Sequence, residues 1–138
     1  MYMVQEVLYI CTGNRFRSMF AEAYTSASCS RVKSFSRGTD ASEDVLNEVR
    51  DEMQARALWS RASKPRQLEA RDLEKADLAV CMKPHHRKTV QEKYSIDVET
   101  VVWQVEEVSV DLPEKELRSR ISSTFDRLED LVDRRFVE

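Results

Sequence analysis

Cys11-Thr12-Gly13-Asn14-Arg15-Phe16-Arg17-Ser18 comes directly after the apolar run Val7-Leu8-Tyr9-Ile10. A cysteine, five residues and an arginine between a strand and a helix are the parts of a phosphate-binding loop with a nucleophile at its base. Such a loop can turn its backbone N–H groups onto one point, and with the first turn of the next helix they form an anion site. The same field favours thiolate over thiol, and the thiolate is the nucleophilic form. Arg17 adds a planar, permanently charged fork that can hold two phosphoryl oxygens. Cys-x5-Arg alone arises easily in an arginine-rich chain. Requiring Gly13, Asn14 and Ser18 as well, where glycine and asparagine are scarce, lowers the chance to roughly one in 10⁵.

Elements on either side must position this loop. Val4 to Ile10 is a continuous apolar and β-branched run, broken only by Gln5 and Glu6, and suits a central parallel strand. Met19, Phe20, Ala23, Tyr24 and Ala27 then fall at helical spacing. Val32 and Phe35 alternate with Lys33 and Ser34 in a short second strand, which Ser36-Arg37-Gly38-Thr39 ends. Asp40 or Ser42 offers an N-cap for a second helix through Val45, Leu46, Val49 and Met53. Ser60 to Pro65 reads as a connection, and Leu68 and Leu73 as part of a short third helix. Ala76 to Met82 is a third strand, and Lys83-Pro84 opens a fourth helix. Val98 to Val105 is a fourth strand and Glu106 to Leu112 a loop. Asp111, with Glu114 three residues on, has the form of a capping box for a last helix. Leu117, Ile121, Phe125, Leu128 and Val132 make its apolar stripe. Four strands alternating with five helices predict an α/β, flavodoxin-like doubly wound parallel sheet with helices on both faces. The loop then sits at the switch point beyond the carboxyl end of the first strand.

The 138 residues suit one domain, residues 1–138, with a core that needs no staples. A formal net charge of −3, with both signs mixed along the chain, gives no nucleic-acid footprint. Three cysteines make an odd count, and reduced thiols in the cytoplasm are the simplest expectation. The first apolar run is short and lacks a basic flank, so no secretion signal is expected. No stretch approaches the ~20 apolar residues of a membrane span. His85 and His86 are adjacent, so on a helix they diverge and make no two-ligand metal face. No metal and no cofactor are expected, and the oligomeric state is left open.

The loop resembles that of the low-molecular-weight protein tyrosine phosphatases and the related thioredoxin-coupled arsenate reductases, whose pattern is Cys-x-Gly-Asn-x-Cys-Arg-Ser-Pro. Ser36-Arg37-Gly38-Thr39 is similar to the family's Ser-Ala-Gly-Thr. Ala76 to Met82, with His85 or His86, is similar to the family's third strand and the start of the segment after it. Ile96 to Val108 resembles the segment leading into the acid loop. The resemblance implies a two-step reaction on a phosphorylated protein or small phosphomonoester. Cys11 attacks phosphorus and forms a phosphocysteine. Arg17 and the loop amides of Thr12, Gly13, Asn14, Arg15 and Phe16 hold the phosphoryl oxygens. Asn14 keeps the loop's shape, and Ser18 stabilises the thiolate when it leaves. A carboxyl group after strand four protonates the leaving group and then activates water. Aligning the family's Asp-Pro puts Glu107-Val108 there, with Asp111-Leu112-Pro113 as the alternative.

The chain also departs from the pattern. The second family cysteine is Phe16 here, so the nucleophile has no disulfide partner within the loop. Met82 to Gln91 lacks the further cysteines that a thioredoxin-coupled reductase uses as a relay. Val108 and Ser109 replace the tyrosines that flank a phosphotyrosine ring, Trp59 being a candidate wall or apolar anchor. Thr12 is shared with the family's protein-arginine phosphatases and with its arsenate reductases. On the loop's likeness to the family, phosphotyrosine-type hydrolysis is read first. The alternatives are phosphoarginine hydrolysis, arsenate reduction through an external thiol, and a phosphate-binding regulatory module with weak turnover.

Overall fold

The computed structural model describes residues 5–137. Four strands form one parallel sheet: β1 (Gln5–Cys11), β2 (Val32–Gly38), β3 (Leu78–Cys81) and β4 (Thr100–Val102), in the order β2-β1-β3-β4. The helices are α1 (Arg17–Ser28), α2 (Asn47–Ala55), α3 (Ala70–Lys75), α4 (Pro84–Thr89) and α5 (Glu114–Val132), with a 3-10 turn at Trp59–Arg61 and π-helical turns at Val90–Tyr94 and Asp133–Val137. The expected doubly wound sheet is present. Val4, included in the expected first strand, lies outside the described residues.

β1 is central and buried, and its pleat assigns its side chains to two cores. Val7, Tyr9 and Cys11 face the core shared with Met19, Phe20, Val49, Ile121 and Phe125, on the side of α1, α2 and α5. Leu8 and Ile10 face Phe35, Leu68, Leu73 and Val90, on the side of α3 and α4. Phe20 and Phe125 stack with ring centroids 3.8 Å apart. Arg56, just beyond α2, pairs with Glu52 at 2.8 Å, Asp126 at 2.9 Å and Glu129 at 2.8 Å, and so straps α2 to α5. Since β2 lies on one side of β1 and β3 on the other, chain direction across the sheet reverses at Cys11.

Several boundaries differ from the sequence-based expectation. β2 runs three residues further, to Gly38, because Ser36, Arg37 and Gly38 pair with Tyr9, Ile10 and Cys11. β3 and β4 are shorter than their apolar runs, although the Trp103 and Val105 N–H groups still bond the Cys81 and Met82 carbonyls at 2.9 and 2.8 Å. Neither Asp40 nor Ser42 caps α2. Its N-cap is Leu46, without a side-chain hydrogen bond, because the backbone of residues 39–42 is engaged with the loop after β1. Asp111 does not cap α5 either: Pro113 occupies the N-cap and Glu114 begins the helix. Leu68 precedes α3, its N–H bonded to the Gly38 carbonyl at 2.8 Å. No described helix is long and apolar enough to cross a membrane.

Candidate active site

The loop after β1 is shaped by where its carbonyls point. Those of Cys11, Thr12 and Gly13 accept hydrogen bonds from the N–H groups of Thr39, Asp40 and Ser42, at 3.0, 3.0 and 2.9 Å. Among the described residues, the N–H groups of residues 13–16 have no protein acceptor. A run of such donors leading into the first turn of α1 is the chemistry of an anion site. Gly38 makes this approach possible: a Cβ there would collide with the Thr12 carbonyl and lie 3.1 Å from Asn14 N and Cβ.

Asn14 adopts a left-handed φ of 53°, which asparagine tolerates better than most residues. Its Nδ2 donates to Ser18 Oγ and to Ser36 Oγ, each at 2.8 Å, and its Oδ1 accepts from the Arg66 N–H at 2.9 Å. Ser18 Oγ, accepting from Asn14, lies 2.9 Å from Cys11 Sγ, so its own proton is free to point at the sulfur. Ser36 Oγ passes the network on to Glu22 Oε1 at 2.5 Å, and Ser63 Oγ donates to Glu22 Oε2 at 2.8 Å. Burial pushes the Glu22 carboxyl above the ordinary carboxylate range, opposed by those two hydroxyls and by Arg37 and Arg66.

A cavity of about 540 Å³ opens over Cys11. Thr12, Gly13, Arg15, Phe16 and Arg17 line it from the loop, Asp40, Ser42, Leu46 and Val49 from the segment after β2, and Glu107 to Val110 with Leu117 and Ile121 from the far side. Arg17 is almost fully buried, and its Nη1 donates to the Val105 carbonyl at 2.9 Å. Phe16 lines the cavity and also packs on Phe125, with centroids 5.5 Å apart. Among the described residues, no tyrosine or tryptophan lines the cavity, and Trp59 lines a separate groove with Glu43 and Arg50.

The two candidate acids are separated by position. Glu107 lines the cavity, whereas Asp111 lies in the turn before α5, its N–H 3.3 Å from Ser109 Oγ, and is not a lining residue. Neighbouring Glu106 is engaged by Lys83 at 2.6 Å, and that hydrogen bond holds its carboxyl below the usual range. Cys29 and Cys81 are free and buried, and burial pushes the Cys81 thiol up to about 12, which leaves it inert.

Sequence reasoning missed Glu22, the Arg66 and Val105 backbone groups, and His86. His86 caps its own helix, its Nδ1 accepting from the Lys83 N–H, but it is also fully buried, and its Nε2 lies 2.9 Å from Thr12 Oγ1. The available signal was faint: Glu22 is four residues after Ser18, on the same helix face.

The family model for low molecular weight phosphotyrosine protein phosphatase matches residues 6–136. Among solved structures, a tyrosine phosphatase from Erwinia amylovora, AmsI, is 21% identical, with a TM-score of 0.77 over 95% of this chain and 90% of that one. The arginine phosphatase YwlE from Geobacillus stearothermophilus is 17% identical, with a TM-score of 0.74 over 94% and 92%. An arsenate reductase from Archaeoglobus fulgidus is 25% identical, with a TM-score of 0.68 over 91% and 98%. No curated protein matches the chain. The family match, together with the cysteine-based anion loop at the sheet's switch point, makes this chain a member of the low-molecular-weight phosphotyrosine protein phosphatase family and a hydrolase of that type.

Proposed function

We propose that the chain hydrolyses a phosphomonoester of the protein phosphotyrosine type through a phosphocysteine intermediate, in a reducing, cytoplasmic setting. Cys11 Sγ forms a bond to phosphorus as the bond to the leaving oxygen breaks. Arg17 and the unpaired loop amides hold the equatorial oxygens, where charge stabilisation does most of the catalytic work. Glu107, protonated at this stage, gives its proton to the leaving oxygen. As a carboxylate it then takes a proton from water, which attacks phosphorus and releases phosphate and the Cys11 thiolate. Ser18 stabilises that thiolate through its hydroxyl proton. The observation that carries this reading is the 2.9 Å Ser18 Oγ–Cys11 Sγ contact beneath a loop whose carbonyls are turned outward.

A second substrate is favoured by the cavity wall. Phosphotyrosine needs flat surfaces against its ring, and apart from Phe16, which also packs on Phe125, the apolar lining is aliphatic: Leu46, Val49, Val108, Val110, Leu117 and Ile121. With Thr12 beside the nucleophile, this supports phosphoarginine, the class named for the YwlE structure. The deciding experiment is metal-free hydrolysis of para-nitrophenyl phosphate by wild type and Cys11→Ser, then of phosphotyrosine and phosphoarginine peptides. Turnover lost in Cys11→Ser is expected. Phosphate binding without turnover in wild type would replace this reading by a phosphate-binding module.

A further inference from the structure

His86 is fully buried at the start of α4, yet its ring reaches the loop that carries the nucleophile. The Lys83 N–H donates to Nδ1 at 3.1 Å. Nδ1 therefore carries no proton, and in a neutral imidazole the proton must sit on Nε2. Nε2 lies 2.9 Å from Thr12 Oγ1. His86 is thus the donor in this pair and the Thr12 hydroxyl the acceptor. That hydroxyl has one proton of its own, and among the described residues no other partner for it is found. Thr12 lines the cavity over Cys11. Its proton is therefore free for whatever anion fills that cavity.

We propose that His86 is a positioning residue, which occupies the Thr12 oxygen from behind and so makes the Thr12 hydroxyl a hydrogen-bond donor to a bound phosphoryl group. This rests on the cavity being a phosphate site, as the proposed function requires, but not on turnover. A histidine suits the task because its two nitrogens differ. One is pinned by a backbone donor, and that fixes the other as a donor. Burial, with His85, Arg17 and Lys83 nearby, lowers its pKa to about 3, in keeping with a neutral ring near neutral pH. A neutral donor also adds no positive charge beside Arg17.

Two measurements test this. Inorganic phosphate is titrated calorimetrically into wild type, Thr12→Val, Thr12→Ser, His86→Phe and the Thr12→Val/His86→Phe double variant. Thr12→Val should weaken binding about tenfold, the loss of one hydrogen bond to a charged group, and Thr12→Ser should recover most of it. His86→Phe should weaken binding by a smaller factor and add nothing in the Thr12→Val background. Additive losses, or wild-type affinity in Thr12→Val, would overturn the proposal. Independently, ¹⁵N NMR of the His86 ring at neutral pH should show a neutral imidazole protonated at Nε2. A ring protonated at Nδ1, or at both nitrogens, overturns it even where His86→Phe fails to fold. Phosphate effects of the expected kind in a wild type without turnover would sink the phosphatase reading and keep this one. Turnover with no effect of either substitution would do the reverse, and no phosphate binding by wild type would remove both.

Discussion

Arg17 donates from Nη1 to the Val105 carbonyl at 2.9 Å, which ties the charged fork of the loop to the segment that carries Glu107 two residues later. The Arg17 fork and the candidate acid are therefore not independent. Its Nη1 is engaged by the Val105 carbonyl, and Arg17 also lines the cavity over Cys11. Lys83 holds the same loop from outside through Glu106.

Arg17→Lys should lower kcat/KM about 10²–10³-fold, because an ammonium cannot bridge Val105 and two phosphoryl oxygens at once. Steady-state kinetics on para-nitrophenyl phosphate would check this, and a loss under about tenfold would show that the fork is not needed.

Glu107→Gln should slow hydrolysis of phenyl phosphate about 10²-fold and of para-nitrophenyl phosphate much less, since only a poor leaving group needs a proton. Asp111→Asn should have the smaller effect with both. A larger leaving-group dependence in Asp111→Asn would transfer the acid role to that residue.

The Glu22 carboxyl titrates higher in the folded chain than in the unfolded one, because burial penalises its charge. Between the two pKa values the folded state binds more protons. Its contribution to stability is thus full below the ordinary carboxylate pKa and is lost as pH rises through the folded one. Glu22→Gln removes the titration and keeps one acceptor oxygen, while its Nε2 turns the other serine hydroxyl into an acceptor. Thermal unfolding of both proteins at about pH 5 and about pH 7 should show the variant gaining on wild type as pH rises. A constant difference would mean that Glu22 does not titrate differently on folding.

Ala57 ends α2 with a left-handed φ of 59°. The Leu58 N–H bonds the Met53 carbonyl at 2.8 Å and the Ala57 N–H the Gln54 carbonyl at 3.0 Å, the paired bonds of a Schellman motif. Glycine is the residue this position prefers. Ala57→Gly should stabilise the fold by about 1 kcal/mol, or raise Tm by about 3 °C. A lower Tm in calorimetry would refute it.

The sheet was legible in the chain because buried parallel strands are continuous apolar runs, and Val7 to Ile10 and Leu78 to Met82 are such runs. The α5 stripe from Leu117 to Val132 was legible for the same kind of reason: each of its five residues is buried. Capping was not legible at Asp40, Ser42 or Asp111. Local chemistry offers a side-chain oxygen there, but the 39–42 backbone is drawn to the loop after β1 and Pro113 takes the α5 N-cap.

By itself, the sequence determined the family, the order of strands and helices, and a loop of Cys11, Gly13, Asn14, Arg17 and Ser18, since these rest on residue type and short spacing. Only the tertiary structure decided that Glu107 rather than Asp111 reaches the cavity, that Glu22 and Ser36 stand behind Asn14, and that His86 stands behind Thr12. Those relationships join residues as far apart as Thr12 and His86, across strands that meet only in the folded sheet. A hydrogen bond depends on distance and direction in space, and neither is encoded in local periodicity.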